Sequence, residues 1–382
     1  MKNLSVLLLT GVLCAFSFTS CGDDDNSPAA GNDGYGYDFT ATIATYVDDV
    51  VIPTYTSMKD AVKVLYRAAS DYNENPSDMT ELAAVCDAWR AARIPWEQSE
   101  GFLFGPAAQL NLDPSLDSWP LDKGSIEKII AGSDEIDPDR ISSPNLHGFH
   151  AVEYLIFDGG EPKKSALSEK ERDYLMAAAE ILRSDTYQLW ANWIGADAID
   201  DEDVLAVFEA EETDVSFNYS FNFKRAGLSG SLFLSQDEAI AQIVEGCSAI
   251  ADEVGAQKIG GPNGLAKGGD IDQAVLEVES WYSWNSIDDY ANNIISIRNS
   301  YFGGNGRTAT TASANSLSAF VKEKNAALDS EITQAIETAY NAIAVGMTKP
   351  FRNNLTGPHV DAAMDACADL VRVFDKIKSL ED

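Results

Sequence analysis

From Phe39 onward, apolar residues recur at steps of three and four, and that period limits the fold more than any other feature of the chain. Tyr46, Val50, Val51, Tyr55, Met58, Val62, Leu65 and Tyr66 form one such stripe, the signature of an amphipathic helix with one buried face. Similar stretches run over 78–104, 167–194, 235–256, 271–302, 310–346 and 359–380. The alternating segment VSFNYSFNF, Val215 to Phe223, reads as a loop or short strand. Long helices separated by Pro and Gly breaks predict an all-α protein of packed helical bundles. A chain of 382 residues is long for one core, so two domains are expected. The helical signal is weakest over 196–230, which places the junction there and gives bundles over 39–215 and 216–382. A further break, QKIGGPNGLAKGGD from Gln257, reads as a surface loop.

Charge and the N-terminus bear on partners and location. Lys and Arg number 27 against 61 Asp and Glu, a formal charge of −34 that repels nucleic-acid phosphates and anionic membrane surfaces. Nucleic acid is thereby excluded as a partner. MKNLSVLLLTGVLCAFSFTSC carries one Lys, an apolar run from Leu4 to Phe18 that is short for a membrane span, and small residues before Cys21. Residues 1–20 read as a secretory signal. A cysteine in that setting resembles a bacterial lipobox, which implies that Cys21 is acylated and that the lipid is the only membrane attachment. The expected location is the outer membrane, facing the periplasm or the exterior. Residues 21–38, acidic and Gly-rich without apolar periodicity, read as a flexible tether. Cys86, Cys247 and Cys367 remain as an odd, scattered set that defines no disulfide framework.

The chain has three histidines, and two of them share the stretch PNLHGFHAVEYLIFDGG. On a helix, three residues separate side chains by about 60° and about 4.5 Å of rise, so His150 and Glu153 face one point. An imidazole and a carboxylate so placed can ligate one metal, or the carboxylate can orient the ring. His147, one turn earlier, could add a third ligand or an outer donor. The same spacing also describes a hydrogen-bonded structural pair, and the zinc-peptidase pattern HExxH is missing from the sequence. His359, just after Pro358 at a helix start, is assigned no role. Upstream, AWRAARIPWEQSEGFLFGP is dense in aromatics and opposite charges, and Arg93 stands four residues from both Trp89 and Glu97. The segment LDSWPLDKGSIEKI adds Asp117, Trp119 and Asp122 in a loop broken at Pro120.

Taken together, WRAARIPWEQSEGFLFGP, DSWPLD and LHGFHAVEYLIF resemble the imelysin family of bacterial envelope proteins. That family's Gly-x-His-x-x-Glu hallmark is matched by Gly148, His150 and Glu153. EVESWYSWNSIDDYANNIISIRNSYFG is similar to its C-terminal segment through Glu279, Ser283, Asn285, Asn293, Ile294, Tyr301 and Gly303. The resemblance spans about residues 40–380 and implies two helical bundles with the hallmark facing a cleft between them. It also implies an envelope location and a part in iron acquisition, with envelope iron-uptake components as partners. The family has been grouped with metallopeptidases, but catalytic zinc takes three protein ligands and a base, and the hallmark supplies two ligands. His147, Glu97, Glu100, Asp122 and Glu279 are the candidates to complete a site. All but His147 are oxygen donors, a set that suits iron or another first-row metal at least as well as zinc.

The leading reading is therefore an envelope lipoprotein that binds a metal ion or small iron-containing ligand. His150 and Glu153 are its ligands, Arg93, Glu97 and Glu100 shape the rim, and Gly148 and Ser283 belong to the surrounding site. One alternative is a metallopeptidase with Glu97 or Glu100 as base. Another is a partner-binding scaffold in which the hallmark locks a domain interface.

Overall fold

The structure, a computed structural model, describes residues 34–380, so the expected signal, Cys21 and most of the tether lie outside it. Thr40–Tyr46 runs through a π-helical segment, Val47–Val51, into α1, Ile52–Glu74. The Asp78 side chain accepts from the Thr80 amide to start α2, Met79–Glu97. Next come α3, Leu112–Asp117, and α4, Gly148–Ile156. Ser168 and Glu171 form a reciprocal capping box at the head of α5, Glu169–Ile194. The second half contains α6, Gln236–Asp252, α7, Gly260–Lys267, α8, Ser286–Phe302, α9, Ala326–Asn341, and α10, Pro358–Phe374. Among the described residues the only strands are β1, Phe157–Asp158, and β2, Glu161–Pro162. They form a hairpin turned by Gly159 and Gly160 at φ 61° and 88°, which two glycines adopt without strain. The all-α expectation holds.

α1 packs against α2 and α5, and α4 closes on α2 and α5. In the second half α6, α8, α9 and α10 pack together. The two groups meet where α6 and α8 reach the end of α2. There the Gly101 amide donates to Ser296 Oγ at 2.8 Å, and a Cβ on Gly246 would stand 2.3 Å from the Gly101 carbonyl oxygen. No helix among the described residues is long and apolar enough to cross a membrane.

Three local expectations are corrected. The stretch after Gln257 is not a loop: α6 continues through a π-helical turn, Glu253–Ile259, directly into α7, because Val254, Ile259, Pro262 and Ala266 are buried there. In VSFNYSFNF, Tyr219–Lys224 is a short helix whose start the Asn218 side chain caps, and Tyr219 and Phe223, four apart, are buried. Finally, the end of the expected 21–38 tether is packed: Tyr35 and Tyr37 lie edge-on against Phe320, and Tyr35 is 1% exposed.

Candidate functional site

Gly148 opens α4 at φ 78°, and a Cβ there would lie 2.4 Å from the Leu116 carbonyl oxygen. Only glycine allows the head of α4 to approach the last turn of α3 this closely. That approach brings Asp117, the final residue of α3, to the imidazole of His150. Asp117 Oδ1 is 3.0 Å from His150 Nε2, and Glu153 Oε2 is 3.1 Å from Nδ1. Glu153 Oε1 in turn accepts from both the amide and the hydroxyl of Ser283, each at 2.8 Å. His150 and Glu153 are fully buried, and Trp119 lies edge-on to the imidazole with ring centroids 4.7 Å apart.

The two ring nitrogens differ. Nδ1 has a hydrogen-bond partner in Glu153, whereas the buried Nε2 has only the ion-pair contact with Asp117. Glu279 Oε1 is 3.8 Å from the same nitrogen. Atoms of Asp117, His150 and Glu279 therefore converge, all within 4.8 Å of one another. Burial would lower the His150 pKa, but the charge of Asp117, and then contacts with Asp117 and Glu153, raise it to about 10.

Around this group lies a buried charge network. Arg93 is fully buried and pairs with Glu97, Asp117, Glu279 at 2.8 Å and Asp289 at 3.3 Å. Lys258 Nζ lies 2.8 Å from Glu100, 3.1 Å from Glu279 and 3.9 Å from Glu97. Neutral donors complete it: Trp96 Nε1 and Asn293 Nδ2 bond Asp117 and Glu97 at 2.5 and 2.6 Å, while Ser280 Oγ and Asn285 Nδ2 bond Asp289 at 2.5 and 2.7 Å. The protonation tendencies diverge. Burial, only partly offset by Arg93, holds Glu97 well above the usual carboxylate range, and burial does the same to Glu100 against Lys258. Asp289 rises to about 6 by burial. For Asp117 and Glu279 the cations outweigh burial, Arg93 and His150 at Asp117 and Lys258 and Arg93 at Glu279, so both are lowered. The two carboxylates nearest Nε2 are thus the ones held ionised.

The network opens onto a cavity of about 520 Å³ lined by Glu100, Leu103, Asp113, Pro114, Asp117, Ser118, Trp119, Pro120, Glu253, Gln257, Lys258, Glu277 and Glu279. Six of these residues are carboxylates and one is a cation, so the cavity favours a positively charged guest.

Of the residues singled out in the sequence, Arg93, Glu97, Glu100, His150, Glu153, Glu279 and Ser283 come together. Both Glu153 oxygens are engaged, by His150 and by Ser283, which leaves this carboxylate orienting the ring. His147 is buried beside the backbone of Ser115 and Ser142, burial pushing its pKa down, and it belongs to none of the converging donor groups. Asp122 stands apart as the N-cap of a short helix, Lys123–Ile130, accepting from the Ser125 amide at 3.0 Å. The candidates read from the sequence do not include Lys258 or Asp289, and the sequence pattern places Asp117 in a loop, whereas the residue ends α3. Asp289 had a legible signal, four residues after Asn285 on one helix face, whereas Lys258 lies in the stretch misread as a loop.

A family model described as imelysin, Peptidase_M75, matches residues 51–377. The chain is 29% identical over 323 residues to iron-regulated protein A of Synechococcus elongatus, covering 85% of this chain and 80% of that protein. A crystal structure from Parabacteroides distasonis, provisionally described as an iron-regulated protein A precursor, is 37% identical with a TM-score of 0.81, covering 95% of this chain and 98% of the other. An imelysin-like protein from Psychrobacter arcticum shares the fold at 14% identity and TM-score 0.61, over 87% and 93% of the two chains.

Proposed function

This chain belongs to the imelysin family, and on that premise we propose that it binds a metal cation, free or as the metal of a small iron-containing ligand, through His150 Nε2, Asp117 and Glu279. The observation that carries this reading is the convergence of His150 Nε2, Asp117 and Glu279 below an acidic cavity. The imidazole, with a pKa of about 10, holds a proton on Nε2 toward Asp117, and a bound cation takes that proton's place. Glu153 acts on the metal indirectly. Its bond to Nδ1 fixes the ring and raises the basicity of Nε2, the arrangement common behind metal-bound histidines. One imidazole with two carboxylates suits iron and other first-row ions. The names of the Synechococcus and Parabacteroides relatives make iron the first cation to try. In this reading the metal is cargo, and the chain serves as an envelope lipoprotein held by a lipid on Cys21. Glu97 and Glu100 contact Arg93 and Lys258 respectively and stand outside the proposed ligand set.

The test is calorimetric titration of the purified, metal-stripped chain with ferrous, ferric and zinc ions, beside His150→Ala, Asp117→Asn and Glu153→Gln. Saturable binding should vanish in the first two variants and weaken about 10–100-fold in Glu153→Gln. Undiminished affinity in a folded His150→Ala protein would refute the reading.

A further inference from the structure

A second cavity, about 510 Å³, inverts the charge of the first. Its lining includes Lys123, Lys163, Lys164 and Arg352 against a single carboxylate, Asp158. Four of the chain's 27 basic residues thus gather around one hollow in a protein with 61 acidic ones. The remaining wall is aromatic. Trp281 and Tyr282 stack with centroids 4.0 Å apart, and Tyr154 meets Tyr282 edge-on at 5.2 Å. Arg352 lies 4.1 Å over the Trp281 ring, and Lys123 and Lys163 lie 5.5 and 5.4 Å from the Tyr154 ring.

We propose that this second cavity binds a small planar aromatic anion, its ring against Tyr154 and Tyr282 and its negative group between Lys163 and Arg352. The chemistry follows from what those groups lack. Arg352 has a cation–π contact and a long 3.5 Å approach to the Trp281 carbonyl oxygen, and no carboxylate pairs with it among the described residues. The nearest carboxylate to Lys163 is Glu171 at 3.7 Å, and Glu127 stands 3.6 Å from Lys123. Burial pushes the pKa of both Lys163 and Arg352 down, so an anion seated between them would relieve desolvated positive charge. Flat rings with positive rims bind flat anions by stacking and charge together.

The position also has a consequence. Residues 277–282 serve both cavities, giving Glu277 and Glu279 to the first and Trp281 and Tyr282 to the second, and Ser283 next in the chain bonds Glu153. Ser280 and Trp284 hold left-handed φ of 52° and 62° along this stretch, and the Gly160 amide ties the hairpin to the Tyr282 carbonyl oxygen at 2.9 Å. The pocket is therefore built on a backbone constrained from both sides. The proposal does not depend on metal binding at His150.

The experiment is calorimetry of the purified, metal-free chain with 2-naphthoate, its neutral alcohol 2-naphthalenemethanol, and inorganic phosphate, beside Lys163→Gln and Arg352→Gln. Saturable naphthoate binding, at least tenfold weaker in each variant and at least tenfold weaker for the alcohol and for phosphate, is the expected result. Gln257→Ala, an exposed position on the wall of the first cavity, should leave naphthoate affinity unchanged. Absent naphthoate binding, or equal binding by the variants, would overturn the proposal. Equal binding of the alcohol would remove the anionic requirement, and equal binding of phosphate the aromatic one, so either overturns it as well. Should a variant lose its cooperative melt, the three probes on the natural chain decide.

Discussion

Gly148→Ala should destabilise the protein and disturb its charge network at once. The residue sits at φ 78°, where an L side chain costs about 1–2 kcal/mol. The added Cβ would lie 2.4 Å from the Leu116 carbonyl oxygen and 2.8 Å from that of Ser115, against an ordinary carbon–oxygen contact of about 3.3–3.6 Å. Both oxygens are backbone atoms of α3, so no rotamer change relieves the conflict, and overpacking of this kind costs about 1–3 kcal/mol. The sum is about 2–5 kcal/mol. Unfolding entropy of about 2.1 cal/mol/K per residue, over roughly 350 folded residues, converts this to a Tm lowered by about 3–7 °C. Gly264→Ala is the matched control: it lies within α7 with nothing within 4 Å of its Cβ position, and should gain about 0.5–1 kcal/mol. Thermal scans by circular dichroism read both. Tryptophan fluorescence should change in Gly148→Ala alone, because Trp96 bonds Asp117 and Trp119 abuts His150. A Gly148→Ala protein that melts within 1 °C of the natural chain would refute the reasoning.

Arg93→Met leaves Glu97, Asp117, Glu279 and Asp289 without their shared cation and should cost about 3–5 kcal/mol in urea unfolding, with Arg93→Lys losing less. Burial raises Asp185 to about 6, above its unfolded value near 3.8. Its protonation therefore favours the fold fully below pH 3.8, and that contribution is lost as pH rises through 6. Asp185→Asn should thus match the natural protein in Tm near pH 4 and exceed it above pH 6. Cys86, Cys247 and Cys367 are buried, and burial pushes each thiol to about 12, so a disulfide reagent at pH 8 should label them only after denaturant is added.

The helices were legible because their burial is one-sided: Tyr55, Met58, Val62 and Leu65 repeat at three and four residues and all are buried. His150 and Glu153 were legible for the same reason, since helical spacing fixes local neighbours without tertiary knowledge. Asp117 was not, because it ends a six-residue helix too short to show a period, and its place beside His150 depends on Gly148 lacking a side chain 31 residues later. Lys258 was hidden by glycines. Gly260, Gly261 and Gly264 read locally as breaks, yet α10 packs against this segment, a Cβ on Gly260 meeting Met364 at 3.2 Å and one on the preceding Gly255 meeting Cys367 at 2.7 Å. Close packing and flexibility use the same residue, and a local window cannot separate them.

The π-helical turn Glu253–Ile259 also gives α6 and α7 a phase relation. A π-turn accommodates one residue beyond α-helical repeat, which rotates everything after it by about 100° relative to an unbroken helix. The face that α7 shows and the direction in which Lys258 enters the network are therefore set by a count of residues as much as by their identities. Among related chains, a one-residue insertion or deletion here is more than a change of length. It is a rotation, able to exchange the lysine that balances Glu100 and Glu279 for a neighbour without any substitution in the site itself.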